Sequence, residues 1–203
     1  MLRTAALLIC MAGLTACNNP QPYATDEQVS AVRFVSDEPP SLTLFTMINN
    51  TSGAGAHTSL LINASERVLF DPAGNFYLQN LPERNDVLFG FSDPVLQAYI
   101  SSNARKEIHV WQQTIEVTPE VAETAYRLAL SNGRVAAAMC TQSTARLLQQ
   151  LPGFESIRPV FQPDNLGLQF EAIPGVVGER IYEDDDVTYS EAVAATNAAL
   201  IEQ

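Results

Sequence analysis

Few side chains in this 203-residue chain can attack a carbonyl or carry a proton near neutral pH: two histidines, His57 and His109, and three cysteines, Cys10, Cys17 and Cys140. Cys10 and Cys17 lie in the apolar N-terminus, which reads as an export signal, so Cys140 is the thiol left to a folded domain. A single thiol has no intrachain disulfide partner. It is either a small buried hydrophobe or a nucleophile. As a nucleophile it must be a thiolate, which needs a base, and the base needs an orienting group.

Asp71 is the candidate orienting group. Turn-type residues Asn63-Ala64-Ser65 separate two strand-like runs, His57 to Ile62 and Glu66 to Asp71. A turn at 63–65 sets His57 opposite Asp71, Ser59 opposite Leu69 and Leu61 opposite Arg67. Opposed residues lie about 5 Å apart, within reach of an imidazole-carboxylate hydrogen bond. A slip of one residue would put Phe70 there instead. Asp71 also opens an Asp-Pro-Ala-Gly turn and can bond its own backbone. His109 alternates with apolar Ile108 and Val110 and reads as lying on the partly exposed face of a strand, a second candidate base.

These residues need elements to position them. Val29 to Val35 and Leu42 to Ile48 read as strands, parted by Asp37-Glu38-Pro39-Pro40, and the small-residue loop 49–56 leads into the His57 strand. Ser92-Asp93-Pro94 opens a helix to about Ser102, Glu107 to Val117 is a long strand, and Pro119 to about Ser131 is a helix behind Thr118. Ala136 to Leu151 has a second helical pattern. If its first turn holds Cys140, the helix dipole and free N–H groups favour the thiolate and can hold an oxyanion. If the helix starts near Arg134, Cys140 is mid-helix and both advantages go. From Phe154 to Arg180 the chain reads as irregular. The acidic run Glu183–Asp186 reads as the flank of a last helix, Tyr189 to Ile201, rather than a metal site.

The charge, 11 Lys+Arg against 23 Asp+Glu for a net −12, argues against nucleic-acid binding, which needs a basic face. Met1 to Cys17 has one positive charge, an apolar run too short to span a bilayer, and small residues at its end. Leu14-Thr15-Ala16-Cys17 resembles the lipobox of bacterial lipoprotein precursors. The resemblance implies a signal peptide over 1–16, lipid on Cys17, a flexible tether over 17–28, and a place in the cell envelope. With Asn18 after the cysteine, it points to the periplasmic side of the outer membrane rather than the inner membrane. The membrane, through the lipid, is then a partner.

The order of His57-Thr58-Ser59-Leu60-Leu61-Ile62, then Arg67 to Gly74, then Met139-Cys140-Thr141-Gln142-Ser143-Thr144 resembles the circularly permuted branch of the papain-like NlpC-type hydrolases, which includes the lecithin-retinol acyltransferases. The likeness covers about residues 50 to 152. It implies an α+β fold, an antiparallel sheet packed against a few helices, over 29–175, with 176–203 left as an acidic segment and C-terminal helix. It further implies Cys140 as nucleophile, His57 as base and a polar residue in the place of Asp71. That polar residue commonly sits two positions nearer the base in the family. The substrate would be an amide or ester, a peptidoglycan stem peptide or an acylated lipid or peptide. The chemistry calls for no cofactor and no metal, and a monomer suffices. The competing expectation is a non-catalytic lipoprotein that binds an envelope partner, with Cys140 inert in the core.

Overall fold

The computed structural model describes residues 23–201, and the signal peptide and Cys17 lie outside the described residues. Its centre is a seven-stranded, wholly antiparallel sheet. In chain order the strands are β1 (Ser41–Asn49), β2 (Gly55–Asn63), β3 (Arg67–Phe70), β4 (Glu83–Arg84), β5 (Val87–Leu88), β6 (Ile108–Glu116) and β7 (Val177–Ile181). Across the sheet they run β4-β5-β3-β2-β1-β6-β7. The helices are α1 (Asp26–Ala31), α2 (Asp93–Asn103), α3 (Pro119–Ser131), α4 (Cys140–Leu148), α5 (Pro163–Glu171) and α6 (Tyr189–Ile201).

Apolar residues cover both faces, which is why β1 is buried from Leu42 through Ile48 without alternation. On one face Leu44, Leu60, Ile62, Val68 and Phe70 pack with Ala125 of α3, Leu147 and Leu148 of α4 and Phe170 of α5. On the other, Phe45, Leu61, Leu69 and Val110 pack with Tyr99 and Ile100 of α2 and with Phe76 and Leu78. A fully buried aliphatic or aromatic side chain contributes about 1.5–3 kcal/mol, so these two layers are the main source of stability.

Several expectations need correction. Val29 to Val35 is not a strand. Thr25 accepts from the Gln28 N–H while the Gln28 side chain accepts from the Thr25 N–H, and that capping box starts α1 instead. Within the 17–28 span, Tyr23 bridges Arg84 and Ala24 is buried, so its last residues join the fold. Residues 154–180 contain α5, with Pro163 in its first turn and Gly167 inside it. A Cβ at Gly167 would fall 2.6 Å from the Trp111 ring, so only glycine lets this helix lie on β6. Between 176 and 203, β7 pairs with β6 and continues the same sheet.

Candidate functional site

The β2–β3 hairpin turns over Ala64, Ser65 and Glu66, not 63–65, so Leu61 faces Leu69 and Asn63 faces Arg67. This register lies two residues from the expected one. Because a shift of two preserves the face on which each side chain points, Asp71 still shares a face with His57. Asp71 lies just past the end of β3, and its Oδ1 accepts from His57 Nε2 at 2.6 Å. Its turn is confirmed by the bond from Gly74 N–H to Asp71 O. Asp71 therefore both orients the imidazole and closes the turn. Gly74 is needed for space: a Cβ there would fall 1.9 Å from Asp71 Oδ2.

Cys140 is the first residue of α4, which settles the open question of where that helix begins. Residues 136–139 form a turn ahead of it, with Ala138 held at φ 65. The N-cap, Met139, has no side-chain oxygen to offer, so the first N–H groups of α4 are free. Since β3 stops at Phe70, opposite Leu60, residues 55–59 of β2 have no β3 neighbour. The thiol sits beside that open edge, close enough to Thr58 for its backbone to favour the thiolate, and the Thr141 hydroxyl lies 3.7 Å away.

Cys140 and His57 lie close enough for each to shift the pKa of the other. With Nε2 committed to Asp71, Nδ1 is the ring nitrogen left for the sulfur. Burial pushes the Cys140 thiol up, but the His57 hydrogen bond and charge, with Thr141 and Thr58, outweigh it and bring the pKa down to about 7. Burial likewise pulls His57 down, and the Asp71 charge and hydrogen bond together with Cys140 overcome it, raising the imidazole to about 10. Between those values the pair is a thiolate beside an imidazolium. Cys140 is 8% exposed and the His57 side chain 23%, so solvent reaches the site from the imidazole side.

Residues that sequence reasoning missed stand behind this line. The Ser59 and Tyr99 hydroxyls bond each other at 2.7 Å on the His57 face of β2. Burial, and then the Asp71 charge, hold Tyr99 well above the ordinary tyrosine range, so it stays neutral. Glu83 lies in β4 and Asp86 in the β4–β5 turn, whose two residues, Asn85 and Asp86, are both left-handed at φ 47 and 66. The Asn-Asp pair ahead of the apolar run Val87-Leu88-Phe89 was the available signal.

His109 is corrected from a partly exposed position to a buried one, 6% exposed. Its Nδ1 bonds Asn50 and its Nε2 accepts from Arg180, while its ring stacks on Tyr182. Burial and then the Arg180 charge lower its pKa, so it is neutral and structural rather than a base for Cys140. Glu183 and Asp185 hold Arg105, and Asp186 holds Lys106. Among the described residues no group of three or more His, Cys, Asp or Glu is placed to hold a metal ion, and no helix is long and apolar enough to cross a membrane.

On this α+β scaffold His57 is hydrogen-bonded to Asp71 and stands close enough to Cys140 to lower its pKa, an arrangement suited to acyl transfer through sulfur. Compared with known proteins, the chain matches no family model, no curated protein and no solved structure.

Proposed function

We propose that the protein is a thiol hydrolase or acyltransferase of the cell envelope, acting on an amide or ester, with a permuted papain-like fold. The observation that carries this reading is the 2.6 Å bond from His57 Nε2 to Asp71, which leaves Nδ1 to a thiol at an uncapped helix start. The chain order of His strand, Asp-bearing second strand and Cys helix supports the fold reading.

The Cys140 thiolate attacks the carbonyl carbon, forming the C–S bond as the carbonyl electrons move to oxygen. The free N–H groups at the start of α4 hold that oxyanion. As the tetrahedral adduct collapses, the bond to the leaving amine or alcohol breaks and His57 supplies its proton. A water, or an acyl acceptor, then gives a proton to His57 and attacks the thioester, releasing the thiolate. Asp71 keeps the ring in register throughout.

Iodoacetamide alkylation of Cys140 against pH tests the reading. In the wild-type domain the rate rises with a midpoint near pH 7, the value at which the thiol ionises. His57→Ala moves the midpoint above the ordinary cysteine value of about 8.5, because burial is then uncompensated. A thiol that stays inert, or that reacts alike in both proteins, overturns the catalytic reading. An inert thiol turns attention to binding partners.

The anchor belongs to the same proposal. With Cys17 lipidated, the protein made with its full N-terminus fractionates with membranes, and Cys17→Ser moves it to the soluble fraction. Equal fractionation of the two removes the anchor.

A further inference from the structure

Behind the imidazole, β2 keeps a hydroxyl where the core is otherwise apolar. Leu61 packs into the aromatic layer on this face, and Ser59 and then His57 follow at alternate positions. The β2–β3 pairing sets Leu61 opposite Leu69 and Leu60 opposite Phe70. Carried on by one residue, that register sets Ser59 opposite Asp71, and opposed side chains lie about 5 Å apart. Ser59 is fully buried, so its hydroxyl has protein groups rather than solvent around it.

Tyr99 comes to the same point from α2. Its ring stands edge-on to Phe45, Phe76 and Phe91, with centroids 5.6, 5.0 and 5.8 Å away. A phenylalanine would fill that cage equally well. What tyrosine adds is a hydroxyl, and it lies 2.7 Å from Ser59 Oγ. Phe76 also lines a small cavity together with Asp71 and Gly74, so the phenol and the carboxylate border one aromatic wall. The Asp71 charge reaches Tyr99 there and helps to keep it neutral.

Two hydroxyls carry two hydrogens, and the bond between them uses one. If Tyr99 donates to Ser59, the Ser59 hydrogen is left over. If Ser59 donates, the Tyr99 hydrogen is left over. The carboxylate beside the pair is Asp71, and a hydroxyl donates more strongly to a charged acceptor than to a neutral one. Asp71 Oδ1 accepts from His57, and Oδ2 faces Gly74.

We propose that Ser59 and Tyr99 are positioning residues of the thiol site, whose hydroxyl pair gives its spare hydrogen to Asp71 and so holds the carboxylate turned toward His57. The inference rests on the thiol-hydrolase reading and adds to it the groups that fix its third member. Without that hydrogen, Asp71 is steadied by His57 alone. The imidazolium then loses part of its counter-charge, and the thiolate loses part of its support.

The test is the midpoint of Cys140 alkylation against pH in wild type, Tyr99→Phe, Asp71→Asn and the double variant. Tyr99→Phe keeps the ring in its cage and is expected to raise the midpoint by about half a pH unit, roughly threefold in thiol ionisation. In the Asp71→Asn background the same substitution is expected to add nothing, because residues that act through one another are not additive. Ser59→Ala is expected to repeat both results from the other hydroxyl. Tyr126→Phe, which removes a hydroxyl bonded to Glu66 at the hairpin turn, leaves the midpoint in place. A midpoint that does not rise in Tyr99→Phe, or that rises equally in both backgrounds, overturns the positioning role. If instead His57→Ala reacts as the wild type does, the thiol-hydrolase reading itself fails and the positioning role goes with it.

Discussion

The chemistry turns on how a few groups share charge. Asp71 is 5% exposed in its side chain, so its effect on His57 is little screened by water. Asp71→Asn is expected to keep the geometry yet weaken the imidazolium, moving the Cys140 alkylation midpoint up by about one pH unit, or about 1.4 kcal/mol. Turnover of any substrate found should fall by roughly 100-fold or more, the scale of a lost acid–base partner. An unchanged midpoint would remove Asp71 from the line. Gly74→Ala should act in the same direction without touching a reacting group, because a methyl there displaces the Asp71 carboxylate. The activity profile is expected to rise through pH 7 as Cys140 ionises and to fall near pH 10 as His57 loses its proton. Cys140 and His57 were legible because so few residues in the chain can do this work, and Asp71 because a hairpin places it on the face of His57. Glu83, Asp86 and Tyr99 were not, since a carboxylate or a tyrosine is common and only its neighbours make it unusual.

At the scale of elements, the site depends on where β3 stops and where α4 starts. The hairpin register differs from the sequence expectation by two residues, and Asp71 still meets His57 because side-chain direction repeats every two. The start of α4 was open in the sequence, since Ala136-Ala137-Ala138-Met139 favours helix as much as the residues that follow. The left-handed Ala138 breaks the run and puts the free N–H groups beside the thiol. Helix α5 escaped notice because Gly167 counts against a helix locally, and it is required by contact with Trp111. Gly167→Ala is expected to destabilise the fold by about 1–3 kcal/mol through overpacking, read from urea unfolding. An unchanged unfolding midpoint would mean that α5 moves away from the sheet without cost. The strap before α6 is held by Arg105, whose guanidinium bonds Glu183, Asp185 and the Val187 carbonyl. Arg105→Ala should free that strap and show early cleavage after residue 181 in limited proteolysis, while the Cys140 alkylation midpoint stays in place.

For the molecule as a whole, the dyad links ionisation to folding. The His57 pKa is raised from 6.5 to about 10, so its contribution to stability is full below pH 6.5 and is lost as pH rises through 10. The Cys140 pKa is lowered from 9.0 to about 7, so its contribution is full above pH 9 and is lost as pH falls through 7. The two slopes oppose each other between pH 7 and 9. The pair therefore leaves stability nearly level there and withdraws it from pH 9 to 10. Urea midpoints of wild type and His57→Ala are expected to differ by an amount that shrinks over that last unit, and a constant difference would count against the ion pair. The sequence by itself determined the small set of reactive groups, their order along the chain, the acidic charge, and most of the strands and helices around them. Those properties follow from composition and from local patterns of two or three and a half residues. Only tertiary structure decided that β2 runs past β3, that a helix N-terminus fills the gap with Cys140, and that Tyr99 meets Ser59. The reason is physical: each of these joins residues far apart in the chain, and which of many compatible contacts forms depends on packing both faces of one sheet at once.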